Sequence, residues 1–221
     1  MQVLVIGASR GIGLEFVRQY RAEGHRVTAT ARDEAGLQRL HELGAEAFRL
    51  DVADAASVSG LGWRIDGQVF DIVIHNAGVY GPRTSGLEPP SDADFDAVMH
   101  ANVLGPMRVL AQLGEAFAPG AKLAVLSSNM GSIGNRSNTS GWLYRASKAA
   151  VNSVLKDASI AFAGKAICIA FHPGWVKTDM GAAGAPLEPA ESVADMRRTL
   201  AKLTAADNGR FLNHDGQPLA W

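Results

Sequence analysis

Gln2-Val3-Leu4-Val5-Ile6-Gly7-Ala8-Ser9-Arg10-Gly11-Ile12-Gly13 decides the fold. The apolar run before Gly7 is rich in β-branched residues and suits a strand buried on both faces. Beyond the glycines, Ile12, Phe16, Val17 and Tyr20 fall on one face of a helix. A strand, a glycine turn and a helix in that order make a phosphate site. The glycines let the backbone approach a pyrophosphate, and the helix N-terminus offers unpaired N–H groups and a positive dipole end. The spacing is Gly-x3-Gly-x-Gly, not the commoner Gly-x-Gly-x-x-Gly. A glycine turn without a nucleotide is the plain alternative, and the strand–helix context weighs against it.

Working outward, residues 25–31 read as a second strand that ends at Arg32, with a helix over about 33–43. In a dinucleotide fold the end of this strand faces the adenosine ribose. An acidic residue there binds the 2′-hydroxyl, whereas an arginine accommodates a 2′-phosphate. Arg32 and Arg10, the latter inside the glycine turn, together predict NADP(H) rather than NAD(H). Asp33 argues the other way unless it caps its own helix.

Residues 47–52 read as a third strand ending at the carboxylate Asp51, followed by a helix over about 55–63. A fourth strand, 70–74, emerges into His75-Asn76-Ala77-Gly78. Apolar periodicity predicts a long helix over 92–117, interrupted at Gly105-Pro106 with Asn102 just before the break. A fifth strand, 122–126, delivers Ser127-Ser128, and a sixth, 166–171, delivers His172-Pro173-Gly174. The alternation predicts a Rossmann-type doubly wound parallel α/β sheet of about seven strands, with helices on both faces, in a single domain over 1–221. Ligands of such sheets bind beyond the carboxyl ends of the strands.

Between the last two strands lies a helix reaching about Phe162, with Tyr144 and Lys148 one turn apart on one face. A neighbouring ammonium favours phenolate and pulls a tyrosine pKa down from about 10 toward neutrality. Such a phenol can exchange a proton with an alcohol or carbonyl oxygen. A snorkelling lysine beside an amphipathic tyrosine is the bland alternative.

A chain of 221 residues, 47% hydrophobic and 19% charged, suits one well-packed α/β unit and excludes a disordered chain. Lys+Arg 21 and Asp+Glu 22 nearly cancel, so neither a nucleic-acid nor a membrane-surface partner is expected. Cys168 is the only cysteine, which rules out an internal disulfide and a cysteine-based zinc site. It reads as a small buried hydrophobe, and no metal is expected. No segment is apolar enough over the length of a membrane span, and no basic n-region precedes the first apolar run. A cytoplasmic location is the expectation.

Taken together, these motifs resemble the short-chain dehydrogenase/reductase family over nearly the whole chain. The glycine motif falls on Gly7, Gly11 and Gly13, and Asn-Asn-Ala-Gly appears as His75-Asn76-Ala77-Gly78. The active-site asparagine falls on Asn102, the serine on Ser128, and Tyr-x-x-x-Lys on Tyr144 and Lys148. The Pro-Gly turn with its threonine is Pro173-Gly174-Trp175-Val176-Lys177-Thr178. Fragments 127–133 and 181–191, Gly209-Arg210-Phe211 and Trp221 are similar to the C-factor and carbonyl-reductase-like branch. Two features depart from the family: His75 replaces the first asparagine, and Ser128 and Tyr144 stand further apart than is common. His75 reads as a satisfied strand-end imidazole without a catalytic role. The turn-rich stretch 138–141 can absorb the extra length as a loop, with Ser127 as the fallback serine.

The resemblance implies reversible hydride transfer between a nicotinamide and a small carbonyl or alcohol. Tyr144 would be the acid/base, Ser128 the donor to the substrate oxygen, and Lys148 the residue that lowers the Tyr144 pKa and holds the ribose hydroxyls. Asn102 would position a water between Lys148 and solvent, or brace the helix break. For the cofactor, Gly7, Ser9, Arg10, Gly11, Ile12 and Gly13 would take the pyrophosphate. Asp51 and Val52 would flank adenine, and Asn76, Ala77 and Gly78 the adjoining ribose. Pro173, Gly174, Val176 and Thr178 would meet the nicotinamide amide and pyrophosphate. Tyr80, Met130, Trp142 and Trp175 are candidates for the substrate pocket, under a small, open cover over 181–186. The resemblance leaves a homodimer, through the 92–117 and 144–162 helices, and a monomer both open. A dinucleotide-binding signalling protein with little turnover is the second reading, opposed by the intact Ser128, Tyr144 and Lys148. A sugar epimerase or dehydratase is a weaker third, since the stretch after Gly174 leaves little room for a substrate lobe.

Overall fold

The computed structural model describes residues 1–181 and 184–221. Seven strands form one sheet in the order β3-β2-β1-β4-β5-β6-β7, every neighbouring pair parallel. They are β1 (Gln2–Ile6), β2 (Arg26–Ala31), β3 (Glu46–Arg49), β4 (Phe70–His75), β5 (Phe117–Leu126), β6 (Ala166–His172) and β7 (Arg210–Asn213). Strand β1 pairs with β2 on one side and β4 on the other, so the order reverses there and opens a crevice above its carboxyl end.

Helices α1 (Gly11–Ala22), α2 (Glu34–Glu42), α3 (Ala55–Ser59), α4 (Leu61–Arg64), α5 (Asp92–Met99), α6 (Gly105–Leu110), α7 (Trp142–Ala161) and α8 (Pro189–Lys202) cover both faces. Alternate strand residues feed two cores. Leu4, Ile6, Leu123 and Val125 pack with α6 and α7, while Val3, Val5, Ala124 and Ile169 pack with α1 and α8. None of the described helices is long and apolar enough to cross a membrane.

Three expected elements differ from those observed. The 92–117 helix ends at Leu110, and Phe117 already begins β5. Leu113 and Ala116 are buried in the connection, so their apolar spacing reflects core contact without a helix. The expected break at Gly105-Pro106 is a π turn over His100–Leu104. It inserts a residue ahead of the proline and swings the chain so that Gly105 lies on Val52, where a Cβ would come within 3.0 Å. The 55–63 helix is split at Gly60 into α3 and α4, and the third strand stops at Arg49, which leaves Asp51 beyond the strand end.

Candidate functional site

A cleft of about 400 Å³ lies above the carboxyl ends of β1, β4, β5 and β6, in the crevice where the strand order reverses. Its floor is the glycine turn. Gly7 adopts φ +82°, and a Cβ there would stand 2.7 Å from the Cα of Ala77. The turn is stitched to both neighbouring strands. Gly7 N donates to Thr30 Oγ1 at 3.0 Å, and Asn76 Nδ2 donates to Gly7 O at 2.6 Å. Ser9, Arg10, Gly11 and Ile12 line the cleft, and Gly11 has φ +55° and faces Thr178. Gly13 lies beneath the turn and lets α1 close upon it. A Cβ there would sit 2.4 Å from Gly7 O and 2.7 Å from Asn76 Nδ2. Space this tight, floored by backbone N–H groups at a helix start, fits a pyrophosphate and leaves no room for side chains.

Gly13→Ala is therefore expected to cost roughly 1–3 kcal/mol of stability, because the strand end and α1 cannot both stay in place. Thermal unfolding would show a melting temperature several degrees lower, with weakened dinucleotide binding by fluorescence titration. An unchanged melting curve would mean that the turn is not close-packed.

Of the residues expected around adenosine, Asp51 and Val52 line the cleft, with Asp51 Oδ1 accepting from Ala53 N at 3.0 Å. Arg32 lines it from the end of β2 and is exposed. Asp33 caps α2, its Oδ1 accepting from Gly36 N at 2.7 Å, which turns the carboxylate toward its own helix. Arg10 pairs with Asp179 across the cleft at 2.9 Å, both side chains largely in solvent. Arg39, unforeseen from the sequence, donates from α2 to Ser9 O at 3.0 Å.

The far end of the cleft holds the titratable groups. The first turns of α7 bring in Tyr144 and Lys148, only 7% and 5% exposed. Ser128 follows β5, and its hydroxyl accepts from Met130 N at 3.1 Å. Burial pushes the Tyr144 phenol well up, and the Ser128 hydroxyl is the group that works against that rise. Burial also pushes Lys148 down to about 8. This corrects the expected lowering of Tyr144 by Lys148. The ammonium is turned to Leu126 O at 2.8 Å and stands 5.7 Å from the centre of the Tyr144 ring, so burial outweighs its charge.

Residues 1–186 match the family described as short chain dehydrogenase. The chain belongs to that family. It is similar to the C-signal protein of Myxococcus xanthus, with 34% identity over 154 residues, covering 68% of this chain and 92% of that protein. A short-chain dehydrogenase/reductase structure from Burkholderia multivorans with bound NADP superposes with a TM-score of 0.90. The two are 30% identical, over 100% of this chain and 99% of the other. The NADPH-bound carbonyl reductase from chicken fatty liver gives a TM-score of 0.86 at 30% identity, covering 100% and 98%.

The remaining expected positions of this short-chain dehydrogenase divide into two groups. Ala77, Gly78, Pro173 and Thr178 border the cleft beside Asn76. Gly174, Val176 and Asn102 do not line it, and Ser128 stands beside the Tyr144 hydroxyl. Gly174 has φ +85° and packs on Leu187, while Val176 is buried and bridged to Leu187, so both shape the loop. Ser127 reaches the cleft surface, whereas Ser128 is the serine that acts on Tyr144.

Asn102 braces two neighbouring segments through its side chain. Its Oδ1 accepts from Val79 N at 2.8 Å, and its Nδ2 donates to Val79 O at 2.8 Å and Ser147 Oγ at 2.9 Å. Both Nδ2 protons are spent there, and Oδ1 keeps one lone pair beyond its bond from Val79 N. His75, expected to be a satisfied imidazole, is 1% exposed with its Nε2 unpartnered. Burial, reinforced by the Lys148 charge, pushes its pKa down to about 4 and keeps it neutral.

Among the candidates for a substrate pocket, Tyr80 stacks on Tyr144 with ring centres 4.5 Å apart. Trp142 instead donates from Nε1 to Glu88 O, and Trp175 to Gly181 O. Met130 packs beside Gly141, next to Tyr80. Within the expected cover, residues 182–183 lie outside the described residues. Met180, which no motif announces, places its sulfur 4.0 Å from the Tyr144 hydroxyl. No cluster of three or more potential metal ligands occurs among the described residues.

Proposed function

We propose that this chain is an NADP(H)-dependent oxidoreductase that transfers hydride reversibly between the nicotinamide and small carbonyl or alcohol compounds. The observation that carries the reading is the buried Tyr144 phenol at the end of a dinucleotide-shaped cleft, with its protonated form favoured. Reduction of a carbonyl needs a proton donor at the oxygen, and a phenol pushed upward by burial holds its proton at neutral pH. Bound NADPH would supply the hydride. Tyr144 would give its proton to the carbonyl oxygen, while Ser128 donates a hydrogen bond to the same oxygen as charge builds there. Lys148, still largely protonated at neutral pH, borders the cleft near Gly78 and would hold the ribose hydroxyls.

Preference for the phosphorylated cofactor would come from Arg32 and Arg10. The capping role of Asp33, which turns one carboxylate oxygen to its own helix, supports the phosphate reading. The Arg10–Asp179 pair is exposed and contributes little, so Arg10 can exchange it for a phosphate. Arg32→Ala should weaken NADPH binding about tenfold and leave NADH binding nearly unchanged. Dissociation constants for both nucleotides at low and high salt decide this. Equal affinities in the wild type would contradict the assignment.

Screening aldehydes, ketones and quinones with NADPH, followed by loss of nicotinamide absorbance, tests the function as a whole. The likeness to C-signal favours a second reading, a dinucleotide-binding signalling protein. Tight NADPH binding with no turnover across that panel would select it. Exposed Phe95, Met107 and Ile160 on α5, α6 and α7 support a homodimer through those helices, measurable by light scattering.

A further inference from the structure

The Tyr144 ring does not stand alone. Tyr80 stacks on it at 4.5 Å with 21° between the planes, and the Arg83 guanidinium lies 4.8 Å from the centre of the Tyr80 ring. The Tyr80 ring thus contacts both the Tyr144 ring and the Arg83 guanidinium. Arg83 also donates to Met180 O at 2.8 Å, which ties the stack to the residue whose sulfur faces the Tyr144 hydroxyl.

The backbone holds Tyr80 as firmly as the stack does. Asn102 grips both the N–H and the C=O of Val79, the residue before it. Gly81, the residue after it, has φ +77° and lies so close to α5 that a Cβ would meet Val98 Cγ2 at 2.4 Å. The Tyr80 hydroxyl packs over Gly141, the left-handed residue that precedes α7, 2.5 Å from where a Cβ would stand. Tyr80 itself does not line the dinucleotide cleft, whereas Val79 and Tyr144 do.

We propose that Tyr80, gripped through Val79 by Asn102 and capped by Arg83, is a positioning residue for Tyr144. Its ring fixes the plane of the phenol and keeps bulk water from it. Stacked rings add about 0.5–1.5 kcal/mol beyond the area they bury, enough to select one ring orientation. A proton donor held in that orientation is aligned before the substrate arrives. The groups facing the phenol are Ser128 from the end of β5, Lys148 from its own helix, Met180 from the loop after β6, and Tyr80, with Arg83 one layer behind. Of these, Tyr80 covers the ring face. The catalytic consequence rests on Tyr144 being the proton donor, whereas the shielding itself does not.

The chain has three tyrosines, so ¹³Cζ-tyrosine labelling gives three resonances that substitution can assign. Titration of the Tyr144 resonance is compared in wild type, Tyr80→Phe and Tyr80→Leu. In parallel, kcat and KM are measured with NADPH and a small aromatic aldehyde. Tyr80→Phe keeps the stack and should match wild type within about twofold in kcat. Tyr80→Leu should admit water, bring the Tyr144 titration to lower pH, and cut kcat about tenfold with NADPH affinity unchanged. Arg83 is exposed, so Arg83→Met should fold and give the same changes at smaller size. A Tyr144 titration unmoved in folded Tyr80→Leu and in Arg83→Met would overturn the proposal, as would equal losses in Tyr80→Phe and Tyr80→Leu. A shifted titration without measurable turnover in wild type would leave the shielding in place and remove the reductase reading instead.

Discussion

Tyr144→Phe is expected to lower turnover by about 10²–10⁴-fold while leaving NADP(H) affinity within about twofold, the span general acid–base catalysis commonly contributes. The substitution removes one oxygen. The ring keeps its stack on Tyr80 and its place on the buried face of α7, so the cleft keeps its shape. What is lost is the only phenol at the cleft end whose proton can reach a substrate oxygen, since Tyr20 is buried in the α1–α8 core and Tyr80 lies behind Tyr144. Removing the hydroxyl also spares the protein the burial of a polar group, so its melting temperature should be equal or slightly higher. Single-turnover rates and cofactor titrations on the same sample separate the two effects. Activity within a few-fold of wild type would take Tyr144 out of the chemistry.

Lys148→Met is expected to remove most activity and yet stabilise the fold at neutral pH. Lys148 has a pKa of about 8 in the folded chain against 10.5 as a free side chain. Between those values the unfolded chain binds more protons, so wild-type stability rises with pH across that window. Below pH 8 the lysine is charged and buried, at a cost of about 3 kcal/mol relative to its exposed state. Methionine has similar length and no charge, though it abandons the hydrogen bond to Leu126 O, which offsets roughly 1 kcal/mol of the gain. The variant should therefore melt several degrees higher at pH 7, with the advantage fading as pH approaches 10. Cofactor affinity should fall about tenfold or more from the lost ammonium contacts. A variant less stable than wild type at pH 7 would mean that the ammonium is not strained by burial. Sites that must hold a buried charge for their chemistry commonly show this opposition between stability and activity.

Much of this was legible in the residues, for identifiable reasons. Strands buried on both faces must be nearly continuous apolar runs, so Val3–Ile6, Ile72–Ile74 and Leu123–Leu126 stood out. The glycine turn was legible because each glycine answers a steric demand, and Gly13 would strike Gly7 O with any side chain. Strand β7 was harder to see: it has four residues, and only Phe211 and Leu212 are buried. Helix α8 carries a buried stripe of Val193, Met196 and Leu200 but follows the small, glycine-containing stretch 181–186, whose composition reads as a loop. The 92–117 pattern misled because Leu113 points into the core from a turn and Phe117 belongs to β5, and periodicity alone does not separate these cases from a helix.

At the site, one-turn spacing placed Tyr144 and Lys148 together, but it could not show where the ammonium points. That depends on Leu126 O, a backbone group from another strand. The clamp on Val79 and the stack of Tyr80 were equally hidden, since both join segments far apart in the chain. Asn102 is legible through the family motif beside the helix break, with bracing one of its two expected roles, but that the brace grips Val79 and Ser147 depends on the fold.

Hydride transfer at this cleft is tested most directly by isotope. NADPH carrying deuterium at both C4 positions is incubated with the protein and a small carbonyl compound, and the alcohol is analysed by mass spectrometry. One deuterium should appear on the carbinol carbon for each NADPH consumed, with the yield collapsing in Tyr144→Phe. Alcohol free of deuterium, or NADPH bound and never consumed across aldehydes, ketones and quinones, would contradict the account.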